Sequence, residues 1–421
     1  MTTMIAVYAD WDGLNEPQRL GRLYPAPAVG FEFDKTALDN PALTGLLLDP
    51  GLEFKAGMQT PPPGRDTFGM IADAAPGAWG RQLMAGGRER EQGGQIDVFD
   101  HLLEIQDIFR SGALRFRLND ADDFLGRRDG ALPPFVQLRQ LEAASLAWEN
   151  GEHGEHGEAG AGAGIAEHPL SLLMGAGGSF GGARPKAAVA EPSGHLWIAK
   201  FPSIHDEHDV GAWEIVVHTL ARGCGLFMGE SLAKRFSGDH HTFLARRFDR
   251  TESGRRLHFA SAMTLTGHAD GGNGAGITAS GRASYLDIAR VLIDHGAQTA
   301  ADLRECWSRI VFNMLISNAD DHLRNHGFIL APGKGWRLSE AYGFNPAPQS
   351  QALRLNVDES DNAMDLELAR SVAHYFRLDA ASADEIIERS RAVVRQWPKI
   401  ATRLGIPLKE REWMRAAFRL A

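Results

Sequence analysis

The stretch Ser317-Asn-Ala-Asp320-Asp321-His322-Leu-Arg-Asn325-His-Gly-Phe-Ile-Leu330 decides how this chain is read. It is a polar run set between two apolar segments. Upstream, Leu303, Trp307, Ile310, Val311 and Met314 fall at i, i+4, i+7, i+8 and i+11, the spacing of one helical face. Downstream, the residues after Asn325 read as a strand. Asp320 precedes Asn325 by five residues. Phosphoryl transfer to a hydroxyl needs a carboxylate to receive the proton and an amide oxygen able to hold a magnesium ion close by. Asp-x-x-x-x-Asn pairs are common, so the assignment depends on what the rest of the chain supplies.

Two further elements agree with it. Gly175-Ala-Gly-Gly-Ser179-Phe-Gly181-Gly182-Ala-Arg184-Pro-Lys186 places five glycines in eight residues, which lets main-chain N–H groups approach an anion, with Arg184 and Lys186 beside them. About one hairpin later comes Lys200, in Leu196-Trp-Ile-Ala-Lys-Phe-Pro202. Protein kinases aim a lysine at nucleotide phosphates in this order, and Glu214 on the next helix is a candidate ion-pair partner. Residues 177–181 also spell G-x-S-x-G, but a hydrolase elbow needs a helix directly after the serine. Here Pro185 and a β-like run follow, which argues against that chemistry.

The organisation around these elements is uneven. Short strands are expected at residues 5–8 and 31–33, a loop leading into a helix at 68–81, and a helix over 98–108. Residues 149–166, ENGEHGEHGEAGAGAGIA, have almost nothing to bury and are expected to be a flexible segment; His153 and His156 within it make a poor metal site. Hairpins follow at 187–201 and up to 248, around a helix over 210–221. The last third is largely helical, with a capping box at Ser382-Ala-Asp-Glu385. The boundaries expected are 1–148 for an N-terminal subdomain, 149–168 for the Gly/Glu-rich segment, 169–255 for a small β-rich lobe and 256–421 for a larger helical lobe.

Composition narrows the function classes. With 421 residues, a formal charge of −10 and a near-average 43% hydrophobic content, the chain is neither disordered nor a basic nucleic-acid coat. Two cysteines, Cys224 and Cys306, argue against a disulfide scaffold or a thiolate zinc site. No apolar run approaches a membrane span and no leader is visible at the start, so a soluble cytoplasmic protein is expected.

Taken together, these residues resemble the HipA-type serine/threonine kinase toxins of bacterial type II toxin–antitoxin systems. The resemblance runs over Ala72-Asp-Ala-Ala-Pro-Gly-Ala-Trp-Gly80, Phe109-Arg-Ser-Gly-Ala-Leu-Arg-Phe116, Gly182-Ala-Arg-Pro-Lys186, Ile198-Ala-Lys-Phe-Pro202, Arg247-Phe-Asp-Arg250 and Asp320-Asp-His-Leu-Arg-Asn325. It implies an α+β, protein-kinase-like bilobal fold: a smaller β-rich lobe with an added N-terminal subdomain, and a larger all-helical C-terminal lobe. It also implies ATP and Mg²⁺ as cofactors, with Asp320 as catalytic base, His322 near the phosphates and Asn325 as a metal ligand. Lys200 would meet the nucleotide phosphates, together with Ser179, Gly181, Gly182 and Lys186, and Phe248 would contact adenine. Ser179 would be the autophosphorylated serine. The implied partners are a helix-turn-helix antitoxin of the HipB type, DNA mainly through that antitoxin, and a protein substrate such as an aminoacyl-tRNA synthetase; no membrane is involved.

One position departs from the pattern. The family carries an Asp as second magnesium ligand where this chain reads Leu338-Ser-Glu340-Ala-Tyr342-Gly343-Phe-Asn-Pro346. Gly343 offers no ligand, so a catalytically impaired member that holds nucleotide and antitoxin is the alternative expectation.

Overall fold

The computed structural model describes residues 4–25, 29–88, 98–120, 122–125, 133–151, 173, 180–270, 276–278 and 281–421. The first sheet is antiparallel and built from β1 (Ile5–Ala9), β2 (Gln18–Tyr24), β3 (Gly30–Phe33), β4 (Met58–Gln59) and β5 (Leu114–Arg117), in the order β4-β3-β2-β1-β5. Every residue of β1 is buried, as befits a strand covered on both faces. Short helices α1 (Lys35–Leu38), α2 (Gly69–Ala74), α3 (Ala78–Arg88), α4 (Val98–Glu104) and α5 (Leu138–Glu149) complete this subdomain.

The second sheet, β6 (Lys186–Ala190), β7 (Leu196–Lys200), β8 (Ser231–Lys234) and β9 (Thr242–Arg246), has the order β6-β7-β9-β8. Helix α6 (Val210–Gly223) packs on it, capped by Asp209, whose carboxylate accepts from Ala212 N at 3.1 Å. Trp79, Leu83, Leu138 and Leu141 of the first subdomain share one core with Ala187, Val189 and Trp197 of this sheet and with Phe201 just after it.

The larger lobe begins with β10 (Phe259–Ser261) and α7 (Ala262–Leu265). A small sheet follows: β11 (Ala269–Asp270), β12 (Gly276–Thr278) and β13 (Gly281–Arg282). Helices α8 (Tyr285–His295) and α9 (Thr299–Leu315), then β14 (Gly327–Ala331) and β15 (Gly335–Leu338), lead to α10 (Leu366–Val372), α11 (Ala380–Val394), α12 (Trp397–Arg403) and α13 (Leu408–Met414). Leu303, Trp307, Ile310, Val311 and Met314 of α9 are fully buried, as their spacing requires. The lobe is therefore largely rather than wholly helical: β10, β14 and β15 form a sheet, and residues 317–326 lead into its strand β14.

An arginine clamp joins the subdomain to the chain between the lobes. Arg247 donates to the carbonyls of Phe109 and Arg110, both at 3.0 Å, and Arg250 to those of Ile108 at 3.2 Å and Arg110 at 3.0 Å. Arg256 donates to the Asp107 carbonyl at 2.6 Å. Asp249 accepts from Gly112 N at 2.8 Å; burial alone would raise its pKa, but the guanidinium groups of Arg247 and Arg250 outweigh burial and hold it well below the carboxylate range.

Three local expectations need correction. Residues 69–74, at the start of the stretch expected as a loop leading into a helix, already form helix α2. The helix expected over 98–108 ends at Glu104, because Arg110 draws the Leu102 and Ile105 carbonyls to itself at 2.9 and 3.2 Å. Ser382 is not a cap: α11 starts earlier, capped by Asp379, which accepts from Ser382 N at 2.8 Å. The capping box present here is Ser284 with Asp287, at the start of α8. Of the Gly/Glu-rich segment, only 149–151 fall within the described residues. There Glu149 still belongs to α5 and accepts from Ser203 Oγ and Ile204 N, both at 2.9 Å.

Candidate active site

Register brings two lysines together on the small lobe. Lys186 opens β6 and Lys200 closes β7, and the two are cross-strand partners. Lys200 Nζ donates to the Glu214 carboxylate, which α6 delivers nearly buried, and it stands 5.4 Å from the centre of the Phe243 ring. Such a pair fixes the direction of the ammonium group. Lys186 is buried and donates to the Gly181 carbonyl. Burial, then the neighbouring Lys200, lower its pKa to about 7 against the pull of Glu214. Gly182 takes φ +85°, where a side chain would be strained. Arg184 is committed elsewhere, in an ion pair with Asp206 at 2.8 Å. Residues 174–179, Ser179 among them, lie outside the described residues.

In the large lobe a buried polar network shapes the catalytic stretch. Asp321 accepts from Tyr285 Oη at 2.5 Å and from Asn313 Nδ2 at 2.8 Å, and its Oδ2 lies 2.9 Å from His326 Nε2. Burial would raise the Asp321 pKa, but His326 and these hydrogen bonds overcome it and hold it low. Ser317 adopts φ +52° and donates from Oγ to the Ala417 carbonyl at 2.7 Å. The reversal lets Asn318 N reach the Asn313 carbonyl at 2.8 Å, and Asn318 Nδ2 reach Asn313 Oδ1 at 2.9 Å and the Gly343 carbonyl at 3.3 Å. Asp320, by contrast, is exposed: its carboxylate meets Arg354 Nη1 at 2.6 Å, while its carbonyl accepts from Asn325 Nδ2 at 3.0 Å. Burial lowers the His322 pKa, against the opposing pull of the Asp320 and Asp321 charges.

Gly343 stands directly against Asn325. With φ at +78°, it is oriented so that a β-carbon would lie 2.9 Å from Asn325 Cγ and 3.3 Å from its Oδ1. The preceding Tyr342 donates to the Arg324 carbonyl at 2.8 Å and stacks on Phe248, with centroids 5.6 Å apart and planes 27° apart. The structure thus brings Asp320, His322, Asn325 and Gly343 into one loop cluster, with Phe248 one ring away. Glu340 does not substitute for the missing carboxylate. It packs against Gly229, among Arg246, Glu230 and Arg309, and burial raises its pKa. Mg²⁺ needs several oxygens in tight octahedral array. Asn325 supplies one, Gly343 none, and the described residues hold no cluster of three or more carboxylate, histidine or cysteine side chains suited to a metal. The residues present do not fit a two-ligand magnesium site.

Residues 178–397, just over half of the chain, match the HipA-like C-terminal domain family. This chain belongs to that family. Two curated relatives carry a kinase name. One, from Haemophilus influenzae, is 29% identical over 126 residues, which cover 29% of this chain and 35% of the relative. The other, from Sinorhizobium fredii, is 29% identical over 231 residues, covering 48% of this chain and 53% of the relative. The chain therefore spans about half or less of these proteins. The fold is similar to HipA in the complex of Shewanella oneidensis HipA, HipB and operator DNA. There the TM-score is 0.64 at 15% identity, over 99% of this chain and 95% of that one. Among the described residues, no helix is long and apolar enough to cross a membrane.

Several supports of this loop cluster carry no sequence motif of their own. Asn313 and Asn318 hold the Gly343 segment, and Arg354 engages Asp320. The one signal was Asn313 itself, a polar residue between Phe312 and Met314 on a helix that is otherwise apolar at that turn. Asp73 of α2 is a further support of this kind. It accepts from Ser261 N at 2.7 Å and Thr264 Oγ1 at 2.7 Å, and it lies 3.9 Å from Arg324.

Proposed function

We propose that this chain is the HipA-type serine/threonine kinase of a bacterial toxin–antitoxin pair, and that it binds ATP but transfers phosphate poorly in its present sequence. The observation that carries the reading is the Lys200–Glu214 pair beside Lys186, at the foot of a Gly-rich segment. In this reading Lys200, Lys186 and the amides of Gly181 and Gly182 hold the nucleotide phosphates, and Phe248 borders the adenine. Asp320 receives the substrate hydroxyl proton, steered by Arg354, and His322 lies close to the phosphates. Asn325 is left as a lone side-chain ligand for Mg²⁺, which accounts for the impairment.

The partner in this reading is a helix-turn-helix antitoxin of the HipB type, with DNA reached mainly through it. The substrate is a protein, of which an aminoacyl-tRNA synthetase is the type the family resemblance favours, and Ser179 is the site of self-modification. Two measurements test the core of the proposal. Calorimetry should detect ATP binding, and co-expression with a short helix-turn-helix protein encoded next to this chain should yield a stable complex. A chain that binds neither ATP nor that protein is not a HipA-type kinase component.

A further inference from the structure

The Gly-rich segment is held at three successive residues. Phe180 sits in the core shared by the subdomain and the small lobe, with Arg247 over its ring at 5.1 Å. The Gly181 carbonyl takes the Lys186 ammonium. The Gly182 carbonyl accepts from Trp79 N at 3.2 Å. Opposite them stands Gly77, whose missing side chain leaves the space the loop backbone fills: a β-carbon there would stand 2.8 Å from Gly181 Cα and closer still to the Phe180 carbonyl oxygen. Gly77 has no positive φ, so its lack of a side chain answers to the loop and not to its own backbone. Arg81 donates to the Pro76 carbonyl at 2.9 Å and braces the same turn. Four residues before Gly77, Asp73 faces Arg324 of the catalytic stretch.

We infer that Gly77 and Trp79, both of the N-terminal subdomain, are positioning residues for nucleotide binding: they hold residues 180–182 in the shape that receives phosphates. The inference rests on the nucleotide reading above. The subdomain is then a wall of the nucleotide site, with the segment 73–79 touching the Gly-rich loop at one end and the catalytic loop at the other. Because the contact is with loop backbone, its effect falls on the phosphates and not on the nucleoside.

The test uses the full chain with Gly77→Ala, and with Arg81→Ala as a milder change at an exposed side chain. Hydrogen exchange without nucleotide should rise at residues 180–183 by about tenfold in Gly77→Ala and less in Arg81→Ala, while α9 stays protected. ATP affinity should fall about tenfold, a loss of ~1.4 kcal/mol, with adenosine affinity unchanged. Unchanged loop exchange in both folded variants overturns the clamp. Lys200→Ala separates the two ideas: if it loses ATP affinity and Gly77→Ala does not, the inference fails and the nucleotide reading stands. If no form binds ATP, the reading itself fails, and the inference with it.

Discussion

Gly343 faces the amide of Asn325 so closely that a β-carbon would stand 2.9 Å from Asn325 Cγ, a contact that one of the two must yield to relieve. A carboxylate at position 343 would emerge beside the Asn325 amide. Asp tolerates left-handed backbone better than most residues, and the conformation costs roughly 1–2 kcal/mol. The Asn325 side chain must shift to admit the carboxylate, at the expense of its bond to the Asp320 carbonyl at 3.0 Å. Gly343→Asp is therefore expected to lose a little thermal stability and to gain Mg²⁺-dependent autophosphorylation, with growth arrest when expressed without an antitoxin. An inert Gly343→Asp beside an unaltered chain that phosphorylates readily would remove position 343 from the metal site.

Self-modification can be followed in the same variant. Ser179 immediately precedes Phe180, the first held residue of the loop. A phosphate adds about −1.5 to −2 charge at pH 7 and would compete with nucleotide for Lys186. Mass spectrometry of active Gly343→Asp should find phosphate on Ser179, and that form should bind ATP weakly. Phosphate found only at other residues contradicts the assignment.

Lys200→Ala should weaken ATP binding by roughly 1.5–3 kcal/mol, the worth of a charge-assisted contact, and leave Glu214 buried without its cation. Titration calorimetry with equal affinities for both forms would exclude Lys200 from the site.

Lys186 makes nucleotide binding pH-dependent. Its pKa in the free protein is about 7, against 10.5 for an ordinary lysine, so at pH 8 it is mostly neutral. Phosphates favour the charged form, so binding at pH 8 should take up a proton, and affinity should fall as pH rises above 7. Without nucleotide, the unfolded chain binds more protons between these pKa values, so this group makes stability rise with pH across that window. Calorimetry in two buffers of different ionisation enthalpy measures the uptake. It should vanish in Lys186→Met, and equal uptake in both forms refutes the assignment.

Tyr285→Phe removes one donor from buried Asp321. Leaving a buried carboxylate short of a partner costs about 1–3 kcal/mol, which should appear as a lower thermal midpoint. Midpoints equal within error would mean that the network can replace the lost bond.

Local chemistry was the legible part of this protein. Gly-rich spacing, the hairpin lysine and the Asp320–Asn325 interval all depend on residues close in sequence, and α9 declares its buried face by periodicity. The same reasoning misplaced the start of α11, because Asp379 and Ser382 both suit a cap and only packing chooses between them. It overran α4 because the competitor for its carbonyls, Arg110, lies beyond the helix. The supports of the site escaped for a related reason. Asn318 with Gly343, Arg354 with Asp320 and Gly77 with Phe180 join residues far apart in the chain, and a side chain that matters only through a distant partner leaves no pattern around itself.

The arginine clamp bears on what counts as a unit of this protein. The family match begins at residue 178, yet Arg247, Arg250 and Arg256 spend their hydrogen bonds on carbonyls of residues 107–110. Beyond the other end of the match, Phe418 stacks on Trp397 with centroids 4.8 Å apart, and Ala417 receives Ser317. A polypeptide trimmed to the matched region would keep every residue assigned to chemistry, yet Arg247 and Arg250 would retain only Asp249 as acceptor and Arg256 would lose Asp107. The stretch by which this protein is recognised is thus smaller than the stretch its hydrogen bonds tie together, and any exchange of the N-terminal subdomain would have to supply new acceptors at the joint between the lobes.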